Sequence, residues 1–214
     1  HKAFAPVAPG KRFTRRMKKS LLLLLLLPLM AVACFAQESR QDISVSGSAL
    51  IPPYIAGNGT QLHATVGFGV LVSYRYLLTP RSGLELNYQY AQEVQHFTNP
   101  TNNNLVHNRF QEISGAYVRS FTFRNFNPFL EAGIGGFIYS PIDDQKTTTQ
   151  GLSRNTNVGL LYGGGIAYEI SPSFDIRAEY RGLIYKTPTF GQTNFSTGRY
   201  YMVSDPVIGV AYHF

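Results

Sequence analysis

The last eight residues, Val207–Phe214, read V-I-G-V-A-Y-H-F and alternate between two unlike faces. Alternation with a period of two is the side-chain pattern of a β-strand whose faces meet different surroundings. Ile208, Val210 and Tyr212 share the apolar face with the aromatic last residue. A chain end frays unless it is tied down, and in a closed barrel the last strand is held by pairing with the first. This ending therefore predicts a transmembrane β-barrel.

The opposite end of the sequence predicts export. Met17 is followed by two lysines and by an uncharged run from Leu21 to Ala36. We interpret residues 1–36 as a leader and secretory signal peptide that starts at Met17 and is removed after Ala36. The run is shorter than the roughly 20 residues of a membrane helix, and Pro28 interrupts it. A lipoprotein cut before Cys34 is the alternative.

Removal of residues 1–36 changes the charge balance of the chain. Of the 19 Lys and Arg residues, seven precede Ala36, whereas all 12 Asp and Glu residues follow it, so the mature chain has no formal net charge. The basic face of a nucleic-acid-binding protein is then absent, and we expect no nucleic-acid partner. The one cysteine, Cys34, is also removed, which excludes disulfide and thiol chemistry from residues 37–214.

Residues 37–214 are long enough for one domain, and period-two alternation recurs eight times along them. In the segment 63–76, apolar residues at even positions from Ala64 onward alternate with mostly small or polar residues at odd positions from His63 onward. The pattern predicts an all-β fold, a closed eight-stranded antiparallel transmembrane barrel with short periplasmic turns and longer extracellular loops. The predicted turns are 79–83, 124–128 and 171–173, and the predicted loops are 52–61, 98–106, 141–156 and 187–199.

The polar face of these strands distinguishes a membrane barrel from a soluble barrel, which is the main alternative. Seven glycines share this face with the charged residues. A narrow lumen needs small residues beside long charged ones, whereas a surface in water does not. Because buried charges are tolerated when they are paired, we expect an ionic network that closes the lumen from the short-turn side upward. Its members are Arg75, Glu85, Glu131, Glu169, Asp175, Arg177, Glu179, Arg181 and Asp205.

The strand pattern and the terminal motif resemble the small eight-stranded outer-membrane β-barrel proteins, the OmpA-like transmembrane domain and opacity-protein superfamily. In that superfamily the last strand carries an assembly signal, which Gly209, Tyr212 and Phe214 match, whereas Val207 stands where a polar residue is usual. The chain has no Trp, so Tyr and Phe must supply the aromatic girdles. The resemblance implies a monomeric, multi-pass protein of the outer membrane without a cofactor. It also implies outer-membrane lipid, lipopolysaccharide and the barrel-assembly machinery as partners.

Two histidines flank the predicted loop 98–106. Antiparallel pairing centred near Asn102 predicts that His96 and His107 lie almost opposite each other on the outer rim. Such a pair is either a weak metal or proton-sensing site or two ordinary rim histidines. The adjacent Asp143 and Asp144 lack the further spaced oxygens of a calcium site. The sequence therefore assigns no catalytic, cofactor-binding or metal residue.

Function remains open between two main classes. The first is a non-enzymatic membrane scaffold or surface adhesion module that acts through its extracellular loops on a ligand of unspecified chemistry. The alternative is a hydrolase or acyltransferase acting on lipid A or phospholipid, which needs a serine, a histidine and an acid facing the lipid. The pattern instead places the serines at 44, 46 and 48, with His63 and His213, in the lumen. A narrow pore is disfavoured because side chains fill an eight-stranded barrel.

Overall fold

The computed structural model describes residues 40–214, so the leader and signal peptide assigned to residues 1–36 lie outside the described residues. Among residues 40–214, no helix is long and apolar enough to cross a membrane, a finding that does not concern strands. Ten strands and a 3-10 turn at Thr193–Phe195 follow one another. The strands are β1 Gln41–Leu50, β2 Ile55–Gly57, β3 Thr60–Ala64, β4 Gly67–Thr79, β5 Ser82–Thr98, β6 Asn103–Ser120, β7 Phe126–Pro141, β8 Asn155–Ser171, β9 Phe174–Lys186 and β10 Tyr200–His213.

The strands form one closed antiparallel ring. β1 pairs with β10 from Asp42↔His213 to Ser48↔Val207, and on its other side it pairs with β4. The ring continues through β5, β6, β7, β8 and β9 back to β10. β3 pairs with the same strand, β5, beyond the end of β4, and β2 forms a hairpin with β3. The closed eight-stranded antiparallel barrel predicted from the alternation is therefore confirmed.

One extra residue interrupts the predicted strand 63–76. His63 pairs with His96, and Phe68 pairs with Gln92. The two pairs are therefore five residues apart along β3 and β4 but only four residues apart along β5. Such a bulge reverses which face each side chain takes. His63 is exposed on the outer face, and the prediction that placed it in the lumen is wrong. The bulge is held by Thr65, whose N–H donates to the Val94 carbonyl (2.9 Å) and whose hydroxyl accepts from the Val94 N–H (3.0 Å).

The outward faces of the strands form an apolar belt. Exposed aliphatic side chains along it include Val45, Leu86, Ile134, Leu160 and Ile208. Aromatic rings lie at both edges of this belt, where rings with one polar end suit the membrane interface. The Tyr and Phe residues are Tyr76, Tyr117, Tyr168 and Phe174 toward the short turns, and Phe68, Tyr88 and Tyr200 toward the loops. This is the exterior of a barrel that has lipid as its solvent.

The predicted loop 98–106 is mostly strand. Thr98 pairs with Asn103, and the Asn99 N–H donates to the Asn102 carbonyl (2.8 Å), which closes a tight turn. The hairpin of β5 and β6 therefore continues without interruption to this turn. Eight residues separate Tyr90 from Thr98, or about 26 Å along a strand. The hairpin consequently rises well above the apolar belt.

Candidate functional site

Ion pairs occupy the lumen near the short turns. Arg177 Nη1 lies 2.9 Å from Asp42 Oδ1, and Arg75 Nη2 lies 2.6 Å from Glu85 Oε2. The Arg75 guanidinium also lies 4.7 Å from the centre of the Phe129 ring. These side chains alternate with outward residues on their strands, so the period-two pattern alone brings them inside. Each arginine is buried with a carboxylate partner, as a buried cation requires.

A second ion-pair chain lies at the carboxyl-terminal end of the barrel. His213 Nε2 is 2.7 Å from Asp175 Oδ2, and His213 Nδ1 is 3.9 Å from Asp42 Oδ2. Asp42 lies opposite His213 across the junction of β1 and β10. This chain therefore connects the strands that close the ring.

Arg181 is the centre of the charged network. Its guanidinium, on β9, contacts the Glu112 carboxylate from β6 and lies 3.1 Å from Asp205 Oδ2 on β10 and 3.5 Å from Glu131 Oε1 on β7. Gln89 of β5 donates to the same Asp205 oxygen (3.0 Å). Arg181 is completely buried. One side chain of β9 therefore links β6, β7 and β10 across the lumen.

Eight of the nine residues predicted for the lumen network lie in these contacts, although they form separate groups. Glu179 joins through a 4.0 Å contact with Arg181. Glu169 does not join: it is half-buried opposite Asp175 beside the turn to β9 and makes none of the ion pairs within residues 40–214. The prediction missed the partners Asp42 and Glu112. Both occupy inward positions of their strands, so the alternation carried the signal that could have identified them.

The other half of the lumen is filled by aromatic side chains. The Tyr139 hydroxyl is hydrogen-bonded to the hydroxyls of Tyr185 (2.5 Å) and Tyr201 (3.0 Å). The rings of Phe137 and Tyr185 stack with centroids 4.3 Å apart, and Phe110 packs edge-on to Tyr139. All five residues are buried. Each of these tyrosine hydroxyls thus has a partner, and the buried Glu93 carboxylate, which accepts from the Gln95 amide (2.7 Å), lies in the same half of the lumen.

The loop 187–199 closes the extracellular mouth above this layer. Phe195 stacks on Phe97 with centroids 4.3 Å apart, and Phe190 packs edge-on to the same ring. The loop is tied to its neighbours by the Asn194 carbonyl, which accepts from the Thr60 hydroxyl (2.9 Å) and the Asn99 side-chain amide (3.1 Å). Although its composition predicts a solvated loop, this segment contributes side chains to the hydrophobic core.

The predicted pairing of His96 with His107 is wrong. His96 lies opposite Leu105 on β6, and His107 lies opposite Val94, because the turn after Thr98 is shorter than the predicted loop. On its other side His96 faces His63, with ring centroids 6.1 Å apart.

His107 has a different partner, in the loop after β7. His107 Nδ1 lies 2.7 Å from Asp144 Oδ2, and this hydrogen bond holds the pKa of Asp144 below its ordinary value. The same loop lines a pocket of about 490 Å³, whose polar and charged side chains include Asp143, Gln150 and Arg154. The side chains of this loop are therefore arranged at the extracellular surface.

The three residues of the predicted assembly signal lie on or after β10. Gly209 pairs with Ser46, and an added Cβ would meet the Ser46 side chain and backbone of β1. The Tyr212 ring lies 5.0 Å from the Phe174 ring, between centroids, and Phe214 follows the last residue of the strand. Gly209 thus allows β10 to pack closely against β1 at the closure of the ring.

The described residues 40–214 bring together neither three metal-ligating side chains nor a serine with a histidine. Within residues 40–214, no group of three or more His, Cys, Asp or Glu is placed to hold a metal ion. Over the same range, the hydrogen bonds of the serine hydroxyls join Gln89, Thr79, Glu112 and Tyr180 rather than a histidine ring.

Comparison with known proteins agrees with this architecture. The model of the outer membrane protein beta-barrel domain family matches residues 22–214. Among solved structures, the chain is similar to neisserial surface protein A (NspA), with 15% identity, a TM-score of 0.57, and coverage of 82% of this chain and 98% of that one. It is also similar to the outer membrane protein OprG from Pseudomonas aeruginosa, with 14% identity, a TM-score of 0.59, and coverage of 82% and 97%. No curated protein matches the sequence. The chain belongs to the outer membrane protein beta-barrel domain family and is an integral β-barrel of the outer membrane.

Proposed function

We propose that this barrel is a non-enzymatic surface-interaction module that works through its extracellular loops and the raised hairpin of β5 and β6. The observation that supports this proposal is the filling of the lumen in two layers. The Arg181 network occupies one half, and the aromatic layer around Tyr139 occupies the other. Side chains at this density leave little room for a continuous water path. The function then has to reside on the outside.

The raised hairpin offers a rigid surface for such a function. Above the apolar belt, its outward side chains become mostly polar, beginning with Gln92 on β5 and Gln111 on β6. Gln111 donates to the Tyr88 hydroxyl (2.9 Å), and Gln92 donates to the Tyr90 hydroxyl (2.8 Å). These bonds mark the upper edge of the belt. Binding surfaces on paired strands lose less conformational entropy than those on free loops.

Cations at this edge support a role for lipopolysaccharide as a lateral partner. Arg109, Lys186 and Arg199 are exposed on the loop side of the barrel. Guanidinium and ammonium groups bind phosphate strongly, and the headgroup of lipopolysaccharide carries phosphate. We expect the monomeric barrel to retain less lipopolysaccharide when Arg109 and Lys186 are both replaced by Gln. Equal retention by this variant and the unchanged chain would contradict the assignment.

The surface role is tested with cells that display the chain. Attachment to immobilised glycans and extracellular-matrix proteins is compared for the unchanged chain, a variant whose β5–β6 hairpin is shortened above Gln92, and one whose 141–156 loop is shortened. We expect attachment to fall in the extracellular variants and to persist when the periplasmic turn at 79–83 is altered. The loop 187–199 is left intact because it carries part of the core.

Two further measurements test the competing functions, a pore and a lipid-modifying enzyme. Planar-bilayer recordings are expected to show no large, stable channels, since the lumen is filled. Purified barrel is expected to show no turnover of phospholipid or lipid A. Stable conductance would support a pore, and turnover that disappears on replacing one serine or histidine would establish the enzyme alternative.

A further inference from the structure

We propose that His63 and His96 form a binding site for one divalent transition-metal ion of the zinc, nickel and copper class on the outer surface of the barrel. The two residues are directly opposite each other on β3 and β5. Both side chains point outward, His63 exposed and His96 half-buried. Imidazole nitrogen is a preferred ligand for this class of ion. His96 lies on the raised β5–β6 hairpin to which we attribute surface binding, but metal binding by the two histidines is a separate property that is measured without any surface ligand.

The separation of the rings suits a shared ion. Their centroids are 6.1 Å apart and their planes are inclined by 67°. With metal–nitrogen bonds of about 2.0–2.1 Å, two imidazoles on one tetrahedral ion have centroids roughly 5 Å apart. Side-chain rotation of about 1 Å therefore brings the rings to a common ion. The backbone does not need to move, because the strand pairing already fixes the two Cα positions.

Both rings are free to bind. Neither the His63 ring nor the His96 ring takes part in a hydrogen bond or ion pair within residues 40–214. The other two histidines of the described chain differ, since His107 contacts Asp144 and His213 contacts Asp175. A free imidazole in its neutral form presents a nitrogen lone pair, which is what a metal ion requires.

The β3 and β5 positions beside the pair are uncharged, whereas on β6 His96 faces Leu105, and His107 with its partner Asp144 lies one cross-strand pair away. Gln61 and Thr98 form the next cross-strand pair toward the tip. On the membrane side, Thr65 lies beside Val94 at the bulge. No cation in these adjacent positions repels a divalent ion, and the site lies above the apolar belt. With two protein ligands, the remaining coordination positions are left to water or to a donor from outside the chain.

The bulge at Thr65 creates this juxtaposition. Without the extra residue, His63 would point into the lumen, as the plain alternation of the segment predicts. With it, His63 shares the outer face with His96. His107 is displaced by one cross-strand pair and held by Asp144, so the site has two protein ligands rather than three.

The test is isothermal titration of the full chain, folded in detergent micelles at pH 7.5, with zinc chloride and separately with nickel chloride. We expect one ion per chain with micromolar affinity, and at least a tenfold loss in His63→Ala and in His96→Ala. Binding should weaken below about pH 6.5, because protonated imidazole has no lone pair to donate. Gel migration with and without heating verifies that each variant is folded.

His107→Ala and His1→Ala are the matched controls and should bind as the unchanged chain does. Absence of binding by the unchanged chain up to millimolar metal would overturn the proposal. So would unchanged affinity in His63→Ala or in His96→Ala, since the ion would then lie elsewhere. A loss of tenfold or more in His107→Ala would overturn the two-ligand assignment, and the same loss in His1→Ala would place the ion at the amino terminus.

Discussion

Replacement of Arg181 by leucine should lower the free energy of unfolding by about 3–5 kcal/mol, the usual cost of leaving a buried charge without its partner. Leucine keeps an apolar stem at the position but leaves the carboxylates of Glu112, Glu131 and Asp205 without their shared cation. The two closest of these contacts, to Glu112 and Asp205, are charge-assisted hydrogen bonds. At about 1.5–3 kcal/mol each, they give a similar total.

The measurement is urea unfolding of the barrel in phospholipid vesicles, followed by far-ultraviolet circular dichroism and by the heat-dependent shift in gel migration. Arg109→Leu is the matched control, because Arg109 is exposed on the outer face and should change stability by less than about 0.5 kcal/mol. Adding Glu112→Gln and Asp205→Asn to the Arg181→Leu chain should recover part of the loss, since fewer unpaired charges remain. If Arg181→Leu is no more destabilising than Arg109→Leu, the network does not hold the lumen together.

Three further perturbations test other parts of the structure. Gly163→Ala should cost about 1–3 kcal/mol in the same unfolding assay, since the new Cβ would lie 2.7 Å from both a Glu131 carboxylate oxygen and a backbone carbonyl, whereas Gly136→Ala, with its nearest atom at 4.0 Å, should be tolerated. Equal effects of the two would contradict the packing. Phe195→Ala should cost about 3–5 kcal/mol and expose the loop 187–199 to protease, so a resistant loop would show that it is held otherwise. His107→Gln should raise the pKa of Asp144 toward its ordinary value in a nuclear magnetic resonance titration. Because the contact lowers that pKa, its stabilisation is present above the ordinary value and is lost as pH falls through the lowered one. An unchanged titration would exclude the contact in solution.

The alternation predicted which face of most strands points inward. Side chains that alternate can point to only two faces, and the face that carries charges must point into the lumen because charged side chains are unfavourable in lipid. Arg75 and Glu85 illustrate this point. Arg75 is the charged residue of a mostly apolar β4, Glu85 takes an inward position on β5, and the register of the two strands places them opposite each other. Such neighbouring pairs follow from local sequence and a short turn.

The bulge at Thr65 could not be predicted in the same way. Ala64 and Val66 are both apolar, so the sequence keeps its alternation through a point where the backbone gains a residue. The consequence was the wrong face for His63. The error at His107 arose similarly, because a loop rich in Asn and Thr concealed a tight turn and two strand extensions.

The partners of Arg181 depend on contacts across the lumen rather than between neighbours in the sequence. Glu112 is 69 positions away and Asp205 is 24 positions away in the chain. Local pattern identifies each of them as inward-facing, but only the tilt and stagger of the closed barrel bring them to one height. The sequence of the loop 187–199 did indicate burial, since Phe190 and Phe195 are large apolar residues in a mostly polar segment.

The formal charges of residues 37–214 sum to zero, but they are separated between the lumen and the outside. Lumen-facing acids outnumber lumen-facing arginines: Asp42, Glu85, Glu93, Glu112, Glu131, Asp175, Glu179 and Asp205 are set against Arg75, Arg177 and Arg181. The remaining basic residues of the described chain therefore lie on the outer face, the turns and the loops, where the acids are Asp143, Asp144 and Glu169. Five of these basic residues lie on the loop side, where the aromatic layer and the loop 187–199 cover the acidic interior: Arg109, Lys146, Arg154, Lys186 and Arg199. This arrangement favours contact with phosphate and other anionic groups at the cell surface over passage of cations through the lumen.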